Sequence, residues 1–284
     1  MKQYKAALKE AEASLSVSGQ EIRVASIVME ELFGMNFAKL MIYGEDMMPK
    51  EDYEKFASVI ERVCHNEPYQ YVLGEAFFYD AYFTVTPDTL IPRNETEELV
   101  EFVLKNESDL GLTAVDIGTG TGAIGLTLAA HWKSNKVIVT DLSAGALRTA
   151  KKNGERLGVN VEYLEGSLFA PLVDKEIKAD IIISNPPYIS EDEKHLMTPS
   201  VLEYEPGTAL FADDNGLALY KAMIRRLSDV LKPGGRVYFE IGFSQADALK
   251  EYIGSVWPGV VVQVVKDINQ QDRILHFTWG EYSD

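Results

Sequence analysis

The run Ala179-Asp180-Ile181-Ile182-Ile183-Ser184 leads straight into Asn185-Pro186-Pro187-Tyr188. An apolar strand is thus followed at once by an amide, two prolines and a phenol. Open α/β sheets bind ligands outside the carboxyl ends of their strands, which is where this tetrapeptide falls. These residue types suit a planar amide or an exocyclic amine as acceptor. The nitrogen lone pair of such a group is delocalised and must be aimed, and both of its N–H groups need fixed acceptors. The Asn185 side-chain oxygen and the Pro186 backbone carbonyl can supply them. Proline restricts φ and lacks an N–H, so it holds that carbonyl rigidly. Tyr188 can stack on the planar acceptor and exclude water. Catalysis at such a site is mostly positioning and electrostatics. No strong general base is needed, because the substituted nitrogen becomes acidic and releases its proton afterwards. Pro186-Pro187 alone could simply end a strand; Asn185 before and Tyr188 after favour chemistry.

A second segment, Val115-Asp116-Ile117-Gly118-Thr119-Gly120-Thr121-Gly122, is a strand running into a glycine-rich turn and then a helix. Glycines there let the backbone bend tightly and approach a ligand closely. The spacing Gly120-x-Gly122-x-x-Gly125 satisfies the dinucleotide fingerprint, a weak match on its own. Asp141, ending the next strand, can accept hydrogen bonds from ribose hydroxyls of either a nicotinamide cofactor or S-adenosyl-L-methionine. Two features favour the latter. Asp116 would repel a pyrophosphate but suits a sulfonium and an amino group, and Gly118 makes the turn a GxGxG. Asp180 and Asp213-Asp214 read as strand-edge and cap residues.

The elements that must position these residues follow from periodicity. Apolar residues recur at helical spacing at Tyr4, Ala7, Leu8, Ala11 and Leu15, and at Ile22, Ala25, Val28 or Met29 and Leu32 up to Gly34. A third stripe is Tyr53, Phe56, Ala57, Ile60 and Val63, so a small helical bundle is expected. Aromatic residues then crowd between Pro68 and Arg93, where alternation over residues 82–86 predicts a β-hairpin linker. After Glu95 strands and helices alternate, the pattern of a parallel sheet covered on both faces. Strands are expected at 114–117, 137–140, 161–164, 181–184 and 236–241, and helices at 123–131, 144–157 and 217–231. Ser143 should cap the second helix and Gly158 close it. Pro233-Gly234-Gly235 should turn the chain before the fifth strand. The last two strands, 260–265 and 274–278, are joined too tightly for a crossover helix and should pair antiparallel.

Composition narrows the partners. The 284 residues carry a net charge of −17, which counts against a nucleic-acid substrate held through Lys and Arg. Residues 1–73 themselves hold eight basic and twelve acidic side chains. No apolar run approaches the roughly 18 residues of a membrane span, and the residues from Met1 onward lack a signal-peptide core. One cysteine, Cys64, and four histidines provide neither an internal disulfide nor a zinc-ligand spacing. A cytoplasmic monomer without structural metal is expected.

These segments together resemble the protein-(glutamine-N5) methyltransferases that modify peptide chain release factors, the HemK/PrmC family. The likeness spans nearly the whole chain. It is carried by Glu67-Pro68-Tyr69-Gln70-Tyr71-Val72-Leu73-Gly74-Glu75, Thr89-Leu90-Ile91-Pro92-Arg93, residues 116–125, Asn185–Tyr188, Glu203-Tyr204-Glu205-Pro206 and Ala209-Leu210. The resemblance implies a Rossmann-like, seven-stranded class I methyltransferase domain over 94–284. Before it come a helical substrate-recognition domain over 1–73 and a hairpin linker over 74–93. It further implies that Gly118, Thr119, Gly120, Thr121 and Gly122 hold the methionine part of S-adenosyl-L-methionine. Asp141 would hold the ribose, Leu168 would lie against the adenine, and Asn185 would border the cofactor as well. Asn185, Pro186, Pro187 and Tyr188 would hold the glutamine of the Gly-Gly-Gln motif of release factors, leaving S-adenosyl-L-homocysteine as product. Asn94 replaces the family's usual proline, and Ser167 its usual acid. Because Asn-Pro-Pro-Tyr is shared with adenine and guanine amino-methyltransferases, a DNA or RNA methyltransferase is the first rival. An inactive cofactor-binding partner protein is the second. An oxidoreductase leaves the tetrapeptide unexplained.

Overall fold

A computed structural model describes residues 2–280; Met1 and the last four residues of the expected 94–284 domain lie outside them. The described residues form two units, 2–74 with 198–204, and 75–197 with 205–280.

In the first unit the helices are α1 (Tyr4–Val17), α2 (Arg23–Phe33), α3 (Phe37–Tyr43), α4 (Lys50–Cys64) and α5 (Tyr69–Leu73), with α10 (Pro199–Tyr204) added from later in the chain. The three expected stripes converge in one core. Ala7, Ala11 and Leu15 of α1 join Ala25, Val28 and Met29 of α2 and Phe56, Ile60 and Val63 of α4. Gly34, in the left-handed region at φ 63°, ends α2. The sequence reading missed α3 because its apolar residues mark no inward stripe. Phe37, Met41 and Ile42 are exposed, and only Leu40 is buried. Its start is set by Asn36, whose side chain accepts a hydrogen bond from the Lys39 N–H at 3.0 Å.

The second unit opens with an antiparallel hairpin, β1 (Glu75–Phe78) and β2 (Ala81–Thr84). A seven-stranded sheet follows: β3 (Thr113–Ile117), β4 (Lys136–Asp141), β5 (Glu162–Glu165), β6 (Ala179–Ser184), β7 (Leu231–Glu240), β8 (Val262–Lys266) and β9 (Asp272–Thr278). The strand order is β5-β4-β3-β6-β7-β9-β8. β9 runs antiparallel to both of its neighbours, and the other pairings are parallel. Alternation along the strands divides the apolar residues between two faces. Ile181 and Ile183 meet a core with Phe78, Phe83, Leu99, Val103 and Leu126, whereas Ile182 meets Tyr220, Ile224, Leu249 and Ile253. The covering helices are α6 (Asn94–Asn106), α7 (Ala123–His131), α8 (Ala144–Leu157), α9 (Ala170–Asp174), α11 (Ala218–Arg225), α12 (Leu227–Val230) and α13 (Ala246–Val256).

Helices α7 and α8 have the expected bounds. Ser143 accepts from the Ala146 N–H at 3.2 Å, and Gly158 caps α8 at φ 67°. The single helix expected over 217–231 is two, broken at Arg226, whose φ and ψ of −113° and 13° leave the helical region. Residues 233–235 do not turn ahead of β7 but lie within it. Gly234 takes φ 77°, its N–H reaches the Trp279 carbonyl at 2.8 Å, and the register against β6 shifts there as a bulge. Among the described residues, no helix is long and apolar enough to cross a membrane.

Strand order reverses between β3 and β6, so the carboxyl ends of these two strands form the topological switch point. Ile117 pairs with Ser184, and the Ser184 hydroxyl donates to the Ile117 carbonyl at 2.7 Å. Gly118 and Asn185, the first residues of the two motifs, therefore leave the sheet side by side.

Candidate active site

The glycine turn between β3 and α7 is held from below and from the side. The N–H groups of Gly118 and Thr119 both donate to the Thr140 carbonyl at 2.9 Å, and that of Gly120 donates to Asp141 Oδ2 at 2.9 Å. Beneath the turn, Asp116 Oδ2 accepts from Thr119 Oγ1 at 2.6 Å and from the Gly125 N–H at 3.0 Å. The glycines divide by role. Gly118 and Gly120 sit at φ 72° and 56°, and a Cβ on either would meet nothing within 4 Å. Backbone conformation demands glycine there, and the space above stays open. At Gly122 a Cβ would lie 2.5 Å from Leu126 and 3.3 Å from Ala150, and at Gly125 2.5 Å from Val139. Gly122 thus leaves room for the Leu126 side chain of α7 itself and for Ala150 of α8, and Gly125 lets α7 seat against β4.

Sequence reasoning missed Asn153, a fully buried residue of α8. Its Nδ2 donates to the carbonyls of Thr121, at 2.9 Å, and Thr84, at 3.0 Å, while its Oδ1 accepts from the Thr84 N–H at 2.7 Å. One side chain thus ties the glycine turn to the hairpin. The available signal was its spacing, since Asn153 follows the buried Ala146 and Ala150 on the same helical face.

Two carboxylates flank the turn. Asp116 is buried beneath it, with Oδ1 lacking a hydrogen-bond partner, and burial pushes its carboxyl up to about 6. Asp141 is partly exposed; burial raises its carboxyl, opposed by the N–H groups of Ser143, Gly120 and Leu142. The Asp141 carbonyl also accepts from the Gly166 N–H at 2.9 Å, which hangs the 166–168 loop beside it. Leu168 stands in that loop, half-buried and in the left-handed region at φ 48°, an uncommon conformation for leucine. Ser167 is exposed. The turn, Asp141 and Leu168 therefore gather at the ends of β3, β4 and β5.

On the other side of the switch point, Asn185 follows β6. Its Nδ2 donates to Thr96 Oγ1 at 3.1 Å, and Thr96 donates to Glu240 Oε2 at 2.7 Å. Pro186 is buried, and Pro187 and Tyr188 are half-buried. Gln245 clamps the end of the tetrapeptide: its Nε2 donates to the Tyr188 carbonyl at 2.9 Å, and its Oε1 accepts from the Gly242 N–H at 2.9 Å. Gly216, at φ 79°, admits that carbonyl, which would lie 1.9 Å from a Cβ there. Burial pushes the Tyr188 phenol up to about 12. It also pushes the Glu240 carboxyl up to about 7, opposed by Thr96, Arg273 and Tyr188. Thr96, Glu240 and Gln245 were not found from sequence. The one local clue was Glu240, a carboxylate closing the apolar run Val237-Tyr238-Phe239.

Comparison with known proteins places the chain in a family. The model of the PrmC N-terminal domain matches residues 6–74, and that of the methyltransferase small domain matches residues 95–203. The chain is 42% identical to the release factor glutamine methyltransferase of Enterococcus faecalis over 96% of this chain and 98% of that one. It is 39% identical to that of Staphylococcus aureus over 98% and 100% of the two chains. The crystal structure of a methyltransferase from Pyrococcus furiosus shares the fold, with a TM-score of 0.53 at 21% identity over 79% of this chain and 100% of that one. Sequence identity at this level across the full length of those relatives shows that this chain belongs to the release factor glutamine methyltransferase family.

Proposed function

We propose that this protein transfers a methyl group from S-adenosyl-L-methionine to the side-chain amide nitrogen (N5) of the glutamine in the Gly-Gly-Gln motif of peptide chain release factors. The observation that carries this reading is the Asn185 side chain at the switch point. Its nitrogen end is tied to Thr96, and among the described residues its Oδ1 takes no hydrogen. An amide oxygen so presented accepts an N–H from a planar amide.

The donor's site fits on two counts. Gly118 and Gly120 leave open space where side chains would stand. The carboxylate bordering that space is Asp141, which accepts from the Gly120 N–H and would repel a pyrophosphate, while Asp116 lies buried beneath the turn and steadies it. Residues 118–122 would hold the methionine part, Asp141 the ribose and Leu168 the adenine. Bound there, S-adenosyl-L-methionine supplies an electrophilic methyl on a cationic sulfur, and S-adenosyl-L-homocysteine is left. The chain's own residues do the aiming. Asn185 Oδ1 and the Pro186 carbonyl accept the two glutamine N–H groups and turn the nitrogen lone pair towards the turn. Pro187 and Tyr188 flank the amide and keep water away. Positioning of this kind reaches rate effects of many orders of magnitude without a general base.

The acidic balance of the chain supports a protein acceptor over a nucleic acid. Residues 1–73 serve as the recognition domain, 74–93 as the linker and 94–284 as the methyltransferase domain, in a cytoplasmic monomer acting in translation termination. The test is transfer of label from S-adenosyl-L-methionine to purified release factor, duplex DNA and ribosomal RNA in parallel. Label on the release factor alone supports the reading. Label on nucleic acid alone overturns the acceptor, and no transfer with cofactor still bound favours an inactive partner protein.

A further inference from the structure

Two buried polar side chains outside both motifs stand in a line that ends on the proposed acceptor contact. Glu240 closes β7 and is 1% exposed, and Thr96 lies in the first turns of α6 and is 5% exposed. Glu240 Oε2 accepts from Thr96 Oγ1 at 2.7 Å, and Thr96 Oγ1 accepts from Asn185 Nδ2 at 3.1 Å. We propose that Glu240 and Thr96 are positioning residues that decide which end of the Asn185 amide faces the acceptor, the ionised carboxylate selecting the productive end. This rests on the glutamine-methylating reading above.

The logic is one of hydrogen inventory. A hydroxyl carries one hydrogen, and an ionised carboxylate can only accept. With Glu240 ionised, Thr96 must give its hydrogen to Glu240 and has only lone pairs left for Asn185. Only the NH2 end of Asn185 can then face Thr96, so Oδ1 points away and is free to take a glutamine N–H. With Glu240 protonated, its own O–H can donate to Thr96, whose hydrogen is released. Thr96 can then donate to Asn185 Oδ1, and the amide can settle the other way round. That orientation puts an NH2 group against the glutamine NH2, donor against donor, and the lone pair is no longer aimed.

The surroundings of Glu240 place this choice within the working pH range. Arg273 on β9, Thr96 on α6 and Tyr188 after β6 favour its ionised form, while burial and Glu95 on α6 oppose it. Tyr220 on α11 spends its hydroxyl on the Glu240 backbone carbonyl at 2.6 Å and leaves the carboxylate alone. Together these groups leave the carboxyl pushed up to about 7, so a pH series through neutrality changes the hydrogen that Thr96 has to give.

The experiment is the pH profile of kcat/KM for methylation of release factor at saturating S-adenosyl-L-methionine. It compares wild type with Thr96→Val, Thr96→Ser and Glu240→Gln, with donor affinity measured by calorimetry on each. Wild type should show an acid limb near pH 7. Thr96→Val, nearly isosteric, should lose about tenfold above that limb and lose the limb itself, with donor affinity unchanged, since the loss is about that of one hydrogen bond to a positioned group. Thr96→Ser should recover both rate and limb. Glu240→Gln, whose amide oxygen can replace the carboxylate but does not titrate in this range, should give a flat profile. A Thr96→Val enzyme with wild-type rate and limb overturns the proposal, as does a Glu240→Gln enzyme that keeps the limb. A wild-type protein that methylates no release factor removes the underlying reading, and the proposal with it.

Discussion

Alanine at Gly118 and at Gly122 should separate the ligand's claim on the glycine turn from the fold's. Both residues lie in the left-handed region, at φ 72° and 85°, where a Cβ costs about 1–2 kcal/mol. At Gly118 that is the whole penalty, because the new methyl meets nothing within 4 Å. At Gly122 the methyl would also sit 2.5 Å from a Leu126 side chain that is fully buried, and 3.3 Å from Ala150. Overfilling a core in this way adds roughly 1–3 kcal/mol. Urea unfolding should therefore find Gly118→Ala less stable by about 1–2 kcal/mol and Gly122→Ala by roughly 2–5 kcal/mol. Calorimetric binding should find the affinity of Gly118→Ala for S-adenosyl-L-methionine reduced by tenfold or more, about 1.4 kcal/mol, because its methyl occupies the space assigned to the donor. Wild-type affinity in Gly118→Ala would refute the assignment of this turn to the donor. Equal losses of stability in the two variants would refute the division of the glycines by role.

Asn185→Ala should lower kcat by on the order of 10²–10³-fold while donor affinity stays within a few-fold, as expected for a group that aims the acceptor. Steady-state kinetics with calorimetry checks this, and equal losses of rate and affinity would contradict it. Asp116 gives a pH signature in stability. Burial raises its carboxyl from 3.8 to about 6, a penalty on the charged form on the order of 3 kcal/mol. The folded state holds the proton more tightly than the unfolded one, so this contribution is full below pH 4 and is lost as pH rises through 6. Asp116→Asn, which keeps the acceptor for Thr119 and Gly125, should therefore compare more favourably with wild type at pH 7.5 than at pH 4.5 in urea unfolding. A difference independent of pH would contradict a buried, titrating Asp116.

What could be read from the sequence was local. The turn at 118–122 and the tetrapeptide at 185–188 are contiguous, and each carries its chemistry in adjacent residues. Helix α8 was legible to the residue because Ser143 and Gly158 mark its ends. Helix α6 was not foreseen: Glu95, Glu97, Glu98 and Glu101 dilute its buried stripe of Thr96, Leu99, Val100 and Val103. The contacts that orient the site are also absent from local pattern. Thr96 meets Glu240 across 144 positions and Asn185 across 89, and Asn153 meets Thr84 across 69. A threonine near a helix start and an asparagine on a helix look ordinary until the sheet brings their partners to them. The bulge at 233–235 was misplaced for a related reason. Pro-Gly-Gly signals a turn, but pairing of β7 with β6 and β9 on either side holds the segment within the strand.

The roles proposed for Asn185 and Pro186 require that one particular amide nitrogen is presented to the donor. The most direct measurement is peptide mass mapping of a release factor incubated with the protein and S-adenosyl-L-methionine, beside the same factor with its Gly-Gly-Gln glutamine changed to glutamate. A single added methyl is expected on that glutamine's side-chain nitrogen, and none on the altered factor. A methyl carried elsewhere on the factor, or kept when that glutamine is gone, would contradict it.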